Sequence, residues 1–206
     1  MTVAAATVIA ERYRRVRDEV GPGVTVVVAT KYVSVDEMGA LADAGVEVVG
    51  ENRAQDIERK HAVYGDVFRW HFIGHLQSNK VKVVNRLCEL VHSLSSHSAA
   101  SRLEIPALLE VNLSGEESKS GVVPDEIASY VAAYPLVRGL MTMPPLTTDP
   151  GDSRAYFRRL RELAAEHGLV DLSMGTSQDY RVAAEEGATL VRVGAVVFGE
   201  PSDATV

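Results

Sequence analysis

The chain has 206 residues, a net charge of −7, 46% hydrophobic residues and 24% charged ones. That length suits one well-buried core and is short for two domains, and the acidity leaves no broad basic footprint for nucleic acid or an anionic membrane. A single cysteine, Cys88, excludes an intramolecular disulfide and an all-cysteine zinc site; its apolar neighbours Leu87 and Leu90 mark it as a buried structural thiol.

Residues 1–10 are mildly apolar but lack a basic start, and Glu11, Arg12, Arg14 and Arg15 follow at once, which does not fit a secretory leader. No apolar run approaches the ~20 residues that a membrane span needs. The expected compartment is the cytoplasm. An opening helix to about Val20 is ended by Gly21-Pro22-Gly23. Val24–Ala29 is an uninterrupted apolar run, the pattern of a parallel strand buried on both faces. Ser34 caps a helix containing Met38, Leu41 and Ala42 that Gly45 closes. Val46–Val49 is a second strand, followed by Gly50-Glu51-Asn52-Arg53 and a helix to about His61. Arg69–Ile73 is a third strand and Gln77–Leu87 its helix; Glu89–His92 and Ala107–Asn112 are the fourth and fifth strands.

Pro124–Tyr134 reads as a helix with proline in its first turn. Val137–Met141 is a sixth strand, Pro144 to Gly151 a proline-bearing loop, and Ser153–His167 an amphipathic helix. Val170–Ser173 and Thr189–Val193 are the last strands, separated by a helix from about Gln178 to Glu186, and the residues after Gly199 read as a loose tail. The alternation makes about eight βα units, near the lower size limit of a closed (β/α)8 barrel of the TIM type with an added N-terminal helix. An open doubly wound sheet is the competing arrangement. Only Ser93–Pro106 joins strands four and five, so a helix there has at most about two turns.

In such folds ligands sit at the C-terminal ends of the strands. Lys31, directly after VTVVVAT, is the obvious nucleophile there. An amine at a buried strand end is costly to ionise, which favours condensation with a carbonyl; the competing reading is a rim lysine that snorkels into water. Ser173-Met174-Gly175-Thr176-Ser177 lies between a strand and a helix, where small residues and hydroxyls suit an anion, and Gly194 closes the last strand beside it. A glycine turn with a serine-capped helix is the simpler alternative. Arg192 alternates with Val191 and Val193 and so faces the barrel interior, where a salt bridge with Glu110 or another strand carboxylate would satisfy it. His71 and His75 are separated by a strand-to-loop transition, so helical metal-ligand spacing does not apply and no metal site is expected.

Several strings fall in a recognised order: Val28-Ala29-Thr30-Lys31, Gly50-Glu51-Asn52-Arg53, the run WHFIGHLQSNK from Trp70 to Lys80, and Ser118-Lys119-Ser120-Gly121. Arg138-Gly139-Leu140-Met141, Leu172-Ser173-Met174-Gly175 and Val191-Arg192-Val193-Gly194 complete the set. From Val24 to Gly199 the chain resembles the pyridoxal phosphate homeostasis protein family, which is similar to the barrel domain of alanine racemase. The resemblance implies a single barrel domain carrying pyridoxal 5'-phosphate as a Schiff base on Lys31. It places the phosphate against the Ser173–Ser177 loop (Met174 and Thr176 included), Gly194 and Ala195. Arg192 would face the pyridine nitrogen, and Asn52 and His71 would line the pocket rim. A cationic partner there keeps the ring nitrogen unprotonated and weakens the ring as an electron sink.

Ala195 stands where the family pattern leads one to expect a hydroxyl, and Met141-Thr142-Met143-Pro144 varies the loop after strand six. The implied function is a monomeric carrier of the cofactor, acting in vitamin B6 and amino-acid balance, with apo-enzymes as candidate recipients. The alternatives are an alanine-type racemase and a cofactor-free Schiff-base aldolase. Racemisation needs proton donors on both faces of the cofactor; related racemases take the second from a further domain, for which the residue count leaves no room.

Overall fold

A computed structural model describes residues 3–116 and 119–199 of the chain. Ser118 and the segment after Gly199, read above as part of a motif and as a tail, lie outside the described residues. Helix α1 (Val3–Val20) precedes eight strands: β1 (Thr25–Ala29), β2 (Val48–Glu51), β3 (Arg69–Phe72), β4 (Leu90–Leu94), β5 (Ala107–Glu110), β6 (Val137–Met141), β7 (Asp171–Ser173) and β8 (Leu190–Val193). They close into one parallel barrel in sequence order, β8 pairing with β1 through Thr25 opposite Leu190 and Val28 opposite Val193. Closure excludes the open sheet.

The connecting helices are α2 (Met38–Asp43), α3 (Ala54–Tyr64), α4 (Val81–Leu87), α5 (His97–Ala100), α6 (Ile127–Ala133), α7 (Arg154–Glu166) and α8 (Tyr180–Glu185), with α9 (Ala195–Phe198) after β8. The short β4–β5 crossover holds only the single turn of α5, and the β4–β5 ladder absorbs it with an irregularity between Val91 and Leu94. No described helix is long and apolar enough to cross a membrane.

Strand ends shift where pairing overrides local preference. β2 runs through Gly50 and Glu51 because these residues pair with Ala29 on one side and with His71 and Phe72 on the other. β5 stops at Glu110 instead of Asn112, whose side-chain amide turns to the Glu116 and Lys119 carbonyls of the following loop. The four-residue α9, absent from the sequence reading, starts straight after β8.

The main apolar core lies between barrel and helices. It includes Trp70, Phe72, Leu109 and Val191, with Cys88 at its edge, where burial raises the thiol to about 12. A smaller cluster fills the barrel itself: Val27, Val48, Leu90, Leu108, Met141 and Leu190, joined by Ile73. Because side chains alternate along a strand, the next inward positions toward the C-terminal ends are His92, Glu110 and Arg192, two residues beyond Leu90, Leu108 and Leu190. A polar layer therefore caps the apolar plug at the end of the barrel where loops carry function.

Candidate functional site

Lys31 follows β1 in an exposed turn, its Nζ 4.7 Å from the centre of the Tyr32 ring. The exposure matches the rim-lysine reading and not the buried strand-end amine; burial falls one residue earlier, on Thr30, which is 0% exposed. Every polar group of Thr30 is engaged. Its N–H donates to Gly50 O (2.9 Å) and its hydroxyl to Glu51 Oε1 (2.7 Å). Its carbonyl accepts from Lys60 Nζ (2.8 Å) and from the Val33 N–H (2.8 Å). Lys60 and Glu51 also form a buried ion pair. The peptide that delivers Lys31 to the mouth is thus held rigid while the amine itself stays in water. The sequence reading missed Lys60; the available signal was its spacing on the stripe Ala54, Ile57, Lys60, the buried face of α3.

Inside the mouth, Arg192 is 7% exposed and makes no carboxylate pair among the described residues. This corrects the expected salt bridge: Glu110 accepts instead from the Ser120 hydroxyl (2.5 Å). The guanidinium donates from Nη1 to Ser173 O (3.0 Å) and Ser173 Oγ (2.5 Å), and from Nη2 to Thr142 O (3.1 Å). Burial lowers it to about 10, against the opposing pull of the Glu110 and Asp179 charges, so it remains a cation at neutral pH.

His71 lies inside the barrel, 2% exposed, and not at an open rim. Its Nδ1 is 2.9 Å from His92 Nε2, and His92 Nδ1 is 2.7 Å from Ser173 Oγ. Burial holds His71 down to about 3, helped by the Arg69 and Arg138 charges. Burial, His71 and Arg192 hold the 0% exposed His92 well below the ordinary imidazole range.

The Ser173–Ser177 loop divides by role. Ser173 is committed to Arg192 and His92, which removes its hydroxyl from the anion cup that the sequence reading drew. Met174 is fully buried in the outer core, and its N–H donates to Leu190 O (3.1 Å). Gly175 adopts φ +91°, and a Cβ there would stand 2.5 Å from Ala183 Cβ, so only glycine lets the loop lie on α8. Thr176 spends its N–H and hydroxyl on Asp179 Oδ1. Ser177 Oγ accepts from the N–H groups of Gly194 (2.9 Å) and Val196 (3.3 Å).

That last pair is the feature that suits a phosphate. Two backbone donors at the start of α9 converge on one oxygen, that of Ser177, whose place a phosphate oxygen would take, and a Cβ on Gly194 would meet nothing nearer than Ala29 O at 3.7 Å. Ala195, exposed, follows at once. The β1–β8 register sets Val28 opposite Val193, so Lys31 and this amide corner leave adjacent strands side by side.

Asn52 is exposed and lines a groove of about 720 Å³ with Arg53, His75, Gln77 and Lys80. The loops after β2 and β3 touch at this point: a Cβ on Gly74 would lie 2.2 Å from Asn52 O. A second cavity of about 460 Å³, bordered by Glu110, Asn112, Ser120 and Thr176, opens on the β5–β7 side.

A family model described as alanine racemase, N-terminal domain, matches residues 6–202. A pyridoxal phosphate homeostasis protein of Aquifex aeolicus is 42% identical over 193 residues, covering 84% of this chain and 85% of its own. The chain belongs to the pyridoxal phosphate homeostasis protein family. A family member from Pseudomonas aeruginosa is 40% identical over 173 residues, 76% of this chain and 75% of its own. Among solved structures, PipY of Synechococcus elongatus, determined with pyridoxal phosphate bound, superposes with a TM-score of 0.84 at 31% identity, over 93% of this chain and all (100%) of its own. Alanine racemase of Corynebacterium glutamicum shares the fold, with a TM-score of 0.73 at 18% identity over 97% of this chain and 63% of its own.

Proposed function

We propose that this protein binds pyridoxal 5'-phosphate as a Schiff base on Lys31 and serves as a carrier that balances the cofactor, and with it amino-acid metabolism, without robust catalysis of its own. The observation that carries the reading is the side-by-side exit of Lys31 and the Gly194–Val196 amide corner from β1 and β8. An amine and an oxyanion site so arranged match the aldehyde and phosphate of one small molecule. The bound cofactor supplies an electron-withdrawing ring. The protein would orient it: Lys31 would attach the carbonyl carbon, the Gly194 and Val196 N–H groups, exchanging the Ser177 hydroxyl for a phosphate oxygen, would hold the phosphate, and Arg192 would meet the ring nitrogen.

A rigid peptide behind an exposed lysine suits reversible loading, since water and a recipient both reach the amine. The two inward histidines engage each other and Ser173, and Tyr180 donates its hydroxyl to Glu19, so none of these is a free acid or base for the opposite face. PipY binds the same cofactor, and the relatives carry the homeostasis name. We place the protein in the cytoplasm as a monomer, with apo-enzymes that use the cofactor as recipients.

The test is absorbance spectroscopy of desalted protein after incubation with the cofactor, on wild type and Lys31→Ala. Wild type retains a visible Schiff-base band and the variant does not. Wild type that takes up no cofactor, or a variant that holds it as firmly, overturns the reading. Robust conversion of L- to D-alanine by the loaded protein would favour the racemase instead.

A further inference from the structure

Four side chains from four strands form one continuous polar chain across the barrel: His71 on β3, His92 on β4, Ser173 on β7 and Arg192 on β8, at 2.9, 2.7 and 2.5 Å. The His92–Ser173 link crosses the lumen, since β5 and β6 lie between these strands in the barrel. The direction of the chain follows from its cationic end. A guanidinium can only donate, so Ser173 Oγ accepts from Arg192. The Ser173 hydroxyl proton, fully buried, needs an acceptor, and His92 Nδ1 is the acceptor in contact with it among the described residues. His92 must then carry its proton on Nε2 and donate it to His71 Nδ1, which leaves the His71 proton on Nε2. Both rings are neutral Nε2–H tautomers.

We propose that His92, acting through Ser173, is a positioning residue for Arg192, and that His71 anchors the far end of the same relay. The inference rests on the reading that Arg192 meets the pyridine nitrogen. Among the described residues Arg192 pairs with no carboxylate that would set its orientation, its backbone acceptors are the carbonyls of Ser173 and Thr142, and Ser173 Oγ is its one side-chain acceptor. A hydroxyl rotor is fixed only when its own proton is claimed. His92 claims it, and His71 in turn claims the His92 Nε2–H that fixes that ring. An extra proton on His71 Nδ1 would face the His92 Nε2–H across the 2.9 Å contact, so the relay disfavours a second charge next to Arg192.

Two measurements test this. In the cofactor-free protein, 15N spectra of the histidine side chains should show unprotonated Nδ1 and protonated Nε2 for both His71 and His92 at neutral pH; a proton on either Nδ1 overturns the relay. This readout stands whether or not the cofactor binds. With 15N-labelled pyridoxal phosphate, wild type should show an unprotonated ring nitrogen. His92→Asn keeps an acceptor near the Nδ1 position and should bind the cofactor within about threefold of wild type with the same ring signal. His92→Phe keeps bulk but no acceptor and should bind about tenfold more weakly, the scale of one lost hydrogen bond, with an altered ring signal. Ser173→Ala, a small change that leaves the core filled, should reproduce the altered signal. Phe and Asn variants that behave alike, or a Ser173→Ala protein with the wild-type signal, would overturn the assignment.

Discussion

Acid between pH 6.5 and 5 should destabilise this protein through His71, and the size of the effect can be worked out. Buried His71 is held down to about 3, whereas in the unfolded chain it returns to its ordinary value of 6.5. Below 6.5 the unfolded state therefore binds a proton that the folded state refuses, and stability falls as pH falls. From pH 6.5 to 5.0 the loss from this one residue is roughly 1.5 kcal/mol, at a limiting slope of about 1.4 kcal/mol per pH unit. The environment fixes the sign: burial disfavours the charged ring, the Arg69 and Arg138 charges oppose it further, and His92 on the neighbouring strand is itself held well below the ordinary imidazole range. Carboxylates held low in the fold, such as Glu19 and Glu186, titrate in a more acid window and do not contribute here. The comparison variant is His71→Asn, which keeps an acceptor for the His92 N–H but cannot titrate. Urea unfolding at both pH values should show the stability difference between wild type and variant change by roughly 1.5 kcal/mol, in the variant's favour at pH 5.0. A difference that stays constant across the window would refute the neutral, buried assignment of His71.

Glu51→Gln should cost about 3–5 kcal/mol in a denaturant titration, because Lys60 is left as an uncompensated buried cation; adding Lys60→Met should restore much of that loss, and no restoration would mean that the pair is not the cause. Ala195→Ser restores a hydroxyl at the start of α9, beside the Gly194 N–H, and should tighten pyridoxal phosphate binding by roughly 2- to 10-fold, the scale of one added hydrogen bond; equal affinity in equilibrium dialysis would place the phosphate elsewhere.

Much of the architecture was legible along the chain because it is written in local patterns. Continuous apolar runs such as Val24–Ala29 suit strands buried on both faces of a parallel sheet with helices outside, and their alternation with helices marks the repeated βα unit. Lys31, the Ser173–Ser177 loop and Gly194 could be placed at one end of the barrel from connectivity alone, since every βα loop emerges on the same face. Tertiary structure decided what depends on closure. Whether β8 returns to β1 is a matter of stagger between strands far apart in sequence, and no local signal records it. The same holds for partners. Ser173 belongs to Arg192 and His92 because a closed lumen brings β4 within reach of β7, and Lys60 reaches Glu51 because α3 packs back on β2. Exposure of Lys31 was likewise decided by the turn after Thr30, which buries one residue and releases the next into water.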